Sequence, residues 1–156
     1  MIRGIHHVSL HARNYEEMLG FYTEVLGFEV ATNISWKDNP LIDEIIGLKR
    51  SVARLAMLKT GNSYLELFDY SEPRSNGGEP LRPQDHGYTH ICLDVIDIEA
   101  EYDRLTAAGM FFFRRPADFG NVKAVYGKDP EGNIIEIQET APGNAMELGE
   151  LKLICF

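Results

Sequence analysis

The sequence predicts an α+β fold: two βαβββ modules forming a cupped mixed β-sheet, with helices on its outer face. Two observations carry this. The chain says nearly the same thing twice, and within each copy the apolar period switches from that of a strand to that of a helix and back. Bulk composition agrees with one domain spanning 1–156. Of the 156 residues, 44% are hydrophobic and 25% charged, the balance of an ordinary globular protein.

The repeat emerges when HVSLHARNYEEMLGFYTEVLGFEV, from His7, is placed above HICLDVIDIEAEYDRLTAAGMFFF, from His90. Each begins as a short alternating strand and passes through a turn, Ala12–Asn14 or Ile96–Asp97, into an amphipathic helix. Met18, Phe21, Tyr22 and Val25 share one face of the first helix; Ile98, Tyr102, Leu105 and Ala108 share one face of the second. Gly27 and Gly109 end the helices, as a left-handed cap requires. Apolar strands follow at Phe28–Ala31 and Met110–Phe113.

The remaining strands also correspond. VARLAMLKTGNSYLELFDY and VKAVYGKDPEGNIIEIQET each read as strand, turn and strand, with Gly61-Asn62 and Gly132-Asn133 at the turns, a hairpin signal. Module one therefore spans 4–70 and module two 86–140, joined by a linker at 71–85 rich in Pro, Gly and Ser. A tail follows at 141–156. Residues 34–50 are an insertion in module one, where LIDEIIGL suits a short helix covering one end of the sheet.

Composition excludes several functions. A net charge of −9 opposes nucleic-acid binding, which needs a concentrated basic face. No apolar run reaches the roughly 18 residues of a membrane span, and MIRGIHH lacks a signal-peptide core, so a cytoplasmic location is expected. Cys92 and Cys155, the two cysteines, do not suggest a disulfide framework.

Strand parity then singles out four residues. With Val8 and Leu10 turned toward the helix, His7, Ser9 and His11 occupy the opposite face. Ile91, Leu93 and Val95 likewise leave His90, Cys92 and Asp94. In the last strands, Leu65 and Leu67 leave Tyr64, Glu66 and Phe68; Ile135 and Ile137 leave Ile134, Glu136 and Gln138. One lone histidine is ordinarily a surface or structural residue, and one lone glutamate is ordinarily solvated. Their recurrence in matching register points instead to an N₂O₂ metal site made by His7, Glu66, His90 and Glu136. Such a set suits one divalent ion among Zn²⁺, Ni²⁺, Co²⁺, Mn²⁺ and Fe²⁺. Parity sends His6 to the helix side; His11 and His86 have no repeat partner, and His11 is expected to support the ligands from behind.

The pattern HHVSL…FYTEVLGFEV…YLELFDY…THICLDV…DPEGNIIEIQE resembles the vicinal oxygen chelate superfamily, which includes glyoxalase I, methylmalonyl-CoA epimerase, extradiol dioxygenases and the fosfomycin- and bleomycin-resistance proteins. The resemblance runs from about Ile5 to Glu139 and is most specific at FYTEVLGF and DPEGNIIEI. It implies the same four ligands, His7, Glu66, His90 and Glu136. The full His/Glu/His/Glu set is more similar to the lyase and isomerase branch than to the dioxygenases. In that branch the metal stabilises an enediolate, so the resemblance implies a glyoxalase-like reaction on a small carbonyl compound with Glu136 or Glu66 as proton shuttle. An Fe(II) extradiol-type dioxygenase and a non-catalytic binding or resistance protein are the alternatives. Neither the arginine that glyoxalase I carries after LG nor the Gly-rich segment of the epimerases is present, so neither substrate is implied.

Around the four ligands, Ser9, His11, Tyr64, Phe68, Cys92 and Tyr126 are expected to line the substrate pocket. Arg114 or Arg115 could hold a substrate carboxylate or phosphate, and Glu44, in the insertion, is a candidate second base. The expected partners are a small-molecule substrate and a second copy of the chain, since many relatives are dimers and open sheet edges invite pairing.

Overall fold

In the computed structural model, which describes residues 2–150, the chain divides into two units. One is Ile5–Gly78, and the other runs on from Glu79 and takes in residues 2–4. In the first, β1 (His7–His11) leads to α1 (Tyr15–Gly20), β2 (Glu29–Lys37), α2 (Pro40–Ile46), β3 (Val52–Lys59) and β4 (Tyr64–Glu72). The sheet order is β1-β4-β3-β2. β1 runs parallel to β4, while the other neighbours are antiparallel.

α1 starts where the Asn14 side chain accepts from the Glu17 backbone N–H, an N-cap, and its amide donates to the Glu17 carboxylate at 2.8 Å. It continues as a π-helical turn over Phe21–Val25. The wider turn buries adjacent Phe21 and Tyr22 together, at 8% and 1% exposure. The expected face is thereby modified: Met18, Phe21 and Tyr22 are buried, but Val25 is only half-buried. Gly27, at φ 76°, ends the helix, and Phe28 N–H returns to the Tyr22 carbonyl.

Against this helix lie Leu65 and Leu67 of β4 with Ala56 and Leu58 of β3, all buried. Val8 departs from expectation and stays exposed, because β1 is an outer strand while α1 packs on β4. β2 runs to Lys37, so the expected insertion from 34 begins as strand and contains α2 further on.

The second unit repeats the design. β5 (His90–Asp94) precedes α3 (Ile98–Ala107), β6 (Phe111–Phe112), β7 (Ala117–Asp118), β8 (Val122–Lys128) and β9 (Ile134–Thr140). The order is β5-β9-β8-β6, with β5 parallel to β9 and β7 paired to β8. β7, which carries no apolar alternation, is an addition to the sequence reading. The expected strand at Met110–Phe113 is reduced to two residues.

Glu139 accepts from the Ile98 backbone N–H at 3.0 Å, supporting the first turn of α3, which the Asp97 side chain caps through Ala100 N–H. Ile98 and Leu105 are buried against Ile135, Ile137 and Val125, whereas Ala108 lies beyond the helix and is exposed. The β8–β9 turn is built on buried Asp129. Its carboxylate accepts from the backbone N–H groups of Glu131 and Asn133 and from the Asn133 amide, at 2.8–3.0 Å. This explains why the stretch DPEGN forms a tight turn.

Candidate metal centre

In the first unit, β1 and β4 pair in the register that sets Ser9 beside Glu66 and His7 beside Tyr64. His7 Nε2 lies 3.2 Å from Glu66 Oε2, and Ser9 Oγ donates to the same oxygen at 2.6 Å. Behind the ring, His7 Nδ1 shares a hydrogen bond with His6 Nδ1 at 2.9 Å. His6 in turn stacks on Tyr64, with centroids 5.1 Å apart. The expectation that His6 faces the helix is therefore corrected: it precedes β1, so strand alternation does not govern it.

The second unit reproduces the pair. His90 Nε2 lies 3.2 Å from Glu136 Oε2, while His90 Nδ1 shares a hydrogen bond with Thr89 Oγ1 at 3.1 Å. Cys92 stands beside Glu136 on β5, as Ser9 stands beside Glu66 on β1. On the other flank, β8 places Tyr126 beside Glu136, where β3 places Met57 beside Glu66. Tyr126 also meets the His90 ring edge to face at 5.2 Å. Burial first, then the Glu136 carboxylate, push the Cys92 thiol up to about 12 and raise the Tyr126 phenol. Burial and the Glu66 charge likewise raise Tyr70.

The donor sets fit a divalent ion. Two ligand atoms each about 2.0–2.2 Å from one metal, at octahedral to tetrahedral angles, stand about 2.8–3.6 Å apart, and each Nε2–Oε2 separation falls in that interval. Each ring presents Nε2 forward with Nδ1 held from behind, the arrangement that fixes tautomer and orientation in metal-binding histidines. The carboxylates are largely withdrawn from solvent, at 15% and 16% exposure, which is costly without a cationic partner. Neither pair is joined by a third His, Cys, Asp or Glu in a metal-sized group among the described residues.

The other candidates divide. His11 Nε2 accepts from the Tyr70 backbone N–H at 3.4 Å, and Phe68 lies on the Glu66 face, stacked on Tyr70. Arg115 is drawn to α3, where it pairs with Glu99 and Asp103 and covers Tyr102. Arg114 is exposed and donates to the Arg115 carbonyl. Glu44 is an exposed residue of α2, and Cys155 lies outside the described residues.

Sequence reasoning missed a chain of contacts that begins in α2. Asp43 accepts from Arg50 N–H, Ser51 N–H and Ser51 Oγ at 2.5–2.9 Å. Buried Ser51 accepts in turn from Trp36 Nε1 at 2.7 Å. Trp36 meets Phe68 and Tyr70 edge to face. The available signal was the alternation continuing from Glu66 through Phe68 to Tyr70.

The hydrogen bonds from Ser51 hold the Asp43 carboxyl below the usual aspartate range. Its ionised form therefore contributes stability above the ordinary aspartate pKa of about 3.9. That contribution is lost as pH falls through the lower folded value. Between about pH 5 and about pH 2, the loss of native Trp36 fluorescence should be steeper in the wild type than in Asp43→Asn.

Residues 4–137 match the model of the Glyoxalase/Bleomycin resistance protein/Dioxygenase superfamily. A lactoylglutathione lyase from Pseudomonas putida is 28% identical over 87% of this chain and 84% of its own length. A 2-epi-5-epi-valiolone epimerase from an Actinomyces species is 31% identical over 66% of this chain, and the match spans 57% of that protein. Among solved structures, a glyoxalase family protein from Bacillus cereus superposes with a TM-score of 0.79 over 90% of this chain and 95% of its own, at 21% identity. One from Enterococcus faecalis gives 0.65 at 29% identity, over 87% and 97%. With the model matched over most of its length and the doubled βαβββ pattern in place, the chain belongs to the glyoxalase/bleomycin resistance protein/dioxygenase superfamily.

Proposed function

We propose that the protein is a divalent-metal-dependent lyase or isomerase of the glyoxalase type, acting on a small carbonyl compound, with His7, Glu66, His90 and Glu136 as the ligands of one metal ion. The observation that carries this is the repetition of one His–Glu pair, with the same 3.2 Å separation, in both units. The lyase and epimerase named among the relatives support the reaction class. The exposed apolar residues Val8, Val30 and Ile34 in the first sheet support a second copy of the chain as a partner.

A bound ion would supply Lewis-acid polarisation of the substrate carbonyl oxygen. The residues do the rest. Glu136 takes the proton from the carbon next to the carbonyl and returns it to the neighbouring carbon. Cys92 and Tyr126 stand beside that carboxylate on the two strands paired with β9, whereas Glu66 has Ser9 alone among its paired-strand neighbours as a protic partner. Thr89 and His6 keep the imidazoles in their forward-facing orientation.

Metal analysis tests the reading. After reconstitution with Ni²⁺, Co²⁺, Zn²⁺, Mn²⁺ or Fe²⁺, the wild type should hold one equivalent of its preferred ion per four-ligand set. His7→Ala and His90→Ala should each weaken binding by about a hundredfold or more, since even outer-shell changes cost 10–100-fold. A wild type that retains no stoichiometric metal would remove the proposal.

A further inference from the structure

Within the first unit, the Glu66 face of β4 continues through Phe68 to Tyr70, about 13 Å along the strand at 3.3–3.4 Å per residue. Phe68 and Tyr70 stack with centroids 5.3 Å apart, and Trp36 stands edge-on to both. Beyond Tyr70 opens a hollow of about 330 Å³, lined in part by His11, Arg13, Tyr70 and Arg74. This is small-molecule size.

Its charge is opposite to that of the chain as a whole, which is −9. Two guanidinium groups line it, against one acid, Asp69. That acid is already paired with Arg54 at 2.9 Å. Arg13 also donates to the Gly78 carbonyl, which orients its fork. Planar guanidinium groups bind carboxylate and phosphate by paired, charge-assisted hydrogen bonds.

We propose that this hollow binds the anionic end, carboxylate or phosphate, of a substrate whose apolar or aromatic body lies along Phe68, Tyr70 and Trp36. The substrate class is then a carbonyl compound with a distal anion. Placing its carbonyl at Glu66 rests on the proposed metal centre, whereas the anion site stands by itself. Arg13 and Arg74 are the specificity residues. Arg115 is committed elsewhere, to Glu99 and Asp103 of α3.

Trp36 is the single tryptophan, so its emission reports on the wall. Metal-free full-length protein in EDTA is titrated with phenyl phosphate, phenylacetate, benzyl alcohol and inorganic phosphate. At least one aromatic anion should change the emission saturably, about tenfold or more tighter than benzyl alcohol, with inorganic phosphate competing. The tighter of the two anions identifies the natural group as phosphate or carboxylate. Arg74→Ala should lose about tenfold in affinity, and Arg74→Lys, which keeps the charge but not the planar fork, should recover only part of that loss.

Benzyl alcohol binding as tightly as both anions, or Arg74→Ala binding them like the wild type, would overturn the site. If Arg74→Ala does not fold, the Arg74→Lys titration and phosphate competition in the wild type decide. A chain that binds the anions but no metal loses only the catalytic reading; one that loads metal and ignores both anions loses only this one.

Discussion

Glu136→Gln is expected to cut proton exchange into a turned-over carbonyl substrate by about 10²–10⁴-fold, the range for loss of a positioned acid–base group. The measurement is deuterium incorporation from D₂O, followed by NMR across a panel of 2-oxoaldehyde hemithioacetals and 2-acyl compounds. Glutamine keeps an oxygen that can still coordinate but cannot carry a proton at neutral pH. Metal affinity should therefore fall less steeply than exchange. Glu66→Gln serves as the matched comparison, because Glu66 occupies the equivalent strand position and makes the same 3.2 Å contact to its histidine. It should lower metal affinity comparably while sparing more of the exchange. Equal exchange losses in the two variants would remove the assignment of Glu136 as the shuttle.

Gly127→Ala is expected to destabilise the protein by about 3 kcal/mol, lowering Tm by roughly 6–12 °C for a chain of this size. Gly127 pairs with Phe112 across β6 and β8. A Cβ there would come within 2.6 Å of the Phe111 carbonyl oxygen, 2.7 Å of Met110 Cε and 2.8 Å of Phe112 Cδ1. The methionine can swing away, but the carbonyl belongs to a strand and cannot retreat without breaking the β6–β8 pairing. Thermal unfolding by circular dichroism reads the effect, and a Tm within about 2 °C of wild type would contradict it. The sheet position next to Gly127 is Tyr126, so the same substitution should also disturb the flank of Glu136.

Much of this architecture is legible in the residues because strand and helix periods are local. Alternation alone separates Leu65 and Leu67 from Glu66, and Ile135 and Ile137 from Glu136; burial follows the division, with the four apolar residues at 0–3% exposure. Locality also explains the failures. Alternation places His6 only if the strand already includes it, and the strand begins at His7. Burial of Val8 was expected from its alternation, yet burial depends on where α1 lies over the sheet. Arg114 and Arg115 were read from charge and position at a strand end. Arg115 finds its partners, Glu99 and Asp103, on α3, which no local pattern announces.

By itself, then, the sequence determined the doubled βαβββ plan and the four side chains that oppose the helix faces, because period and repeat are properties of neighbours along the chain. The tertiary structure decided what flanks each carboxylate: Ser9 and Met57 at Glu66, Cys92 and Tyr126 at Glu136. It also decided that Asp43 and Ser51 brace Trp36, and that Arg13 and Arg74 line one hollow. These relations depend on strand register and on contacts between distant segments. Core packing sets both, since a slip of one residue would turn every apolar side chain to the wrong face.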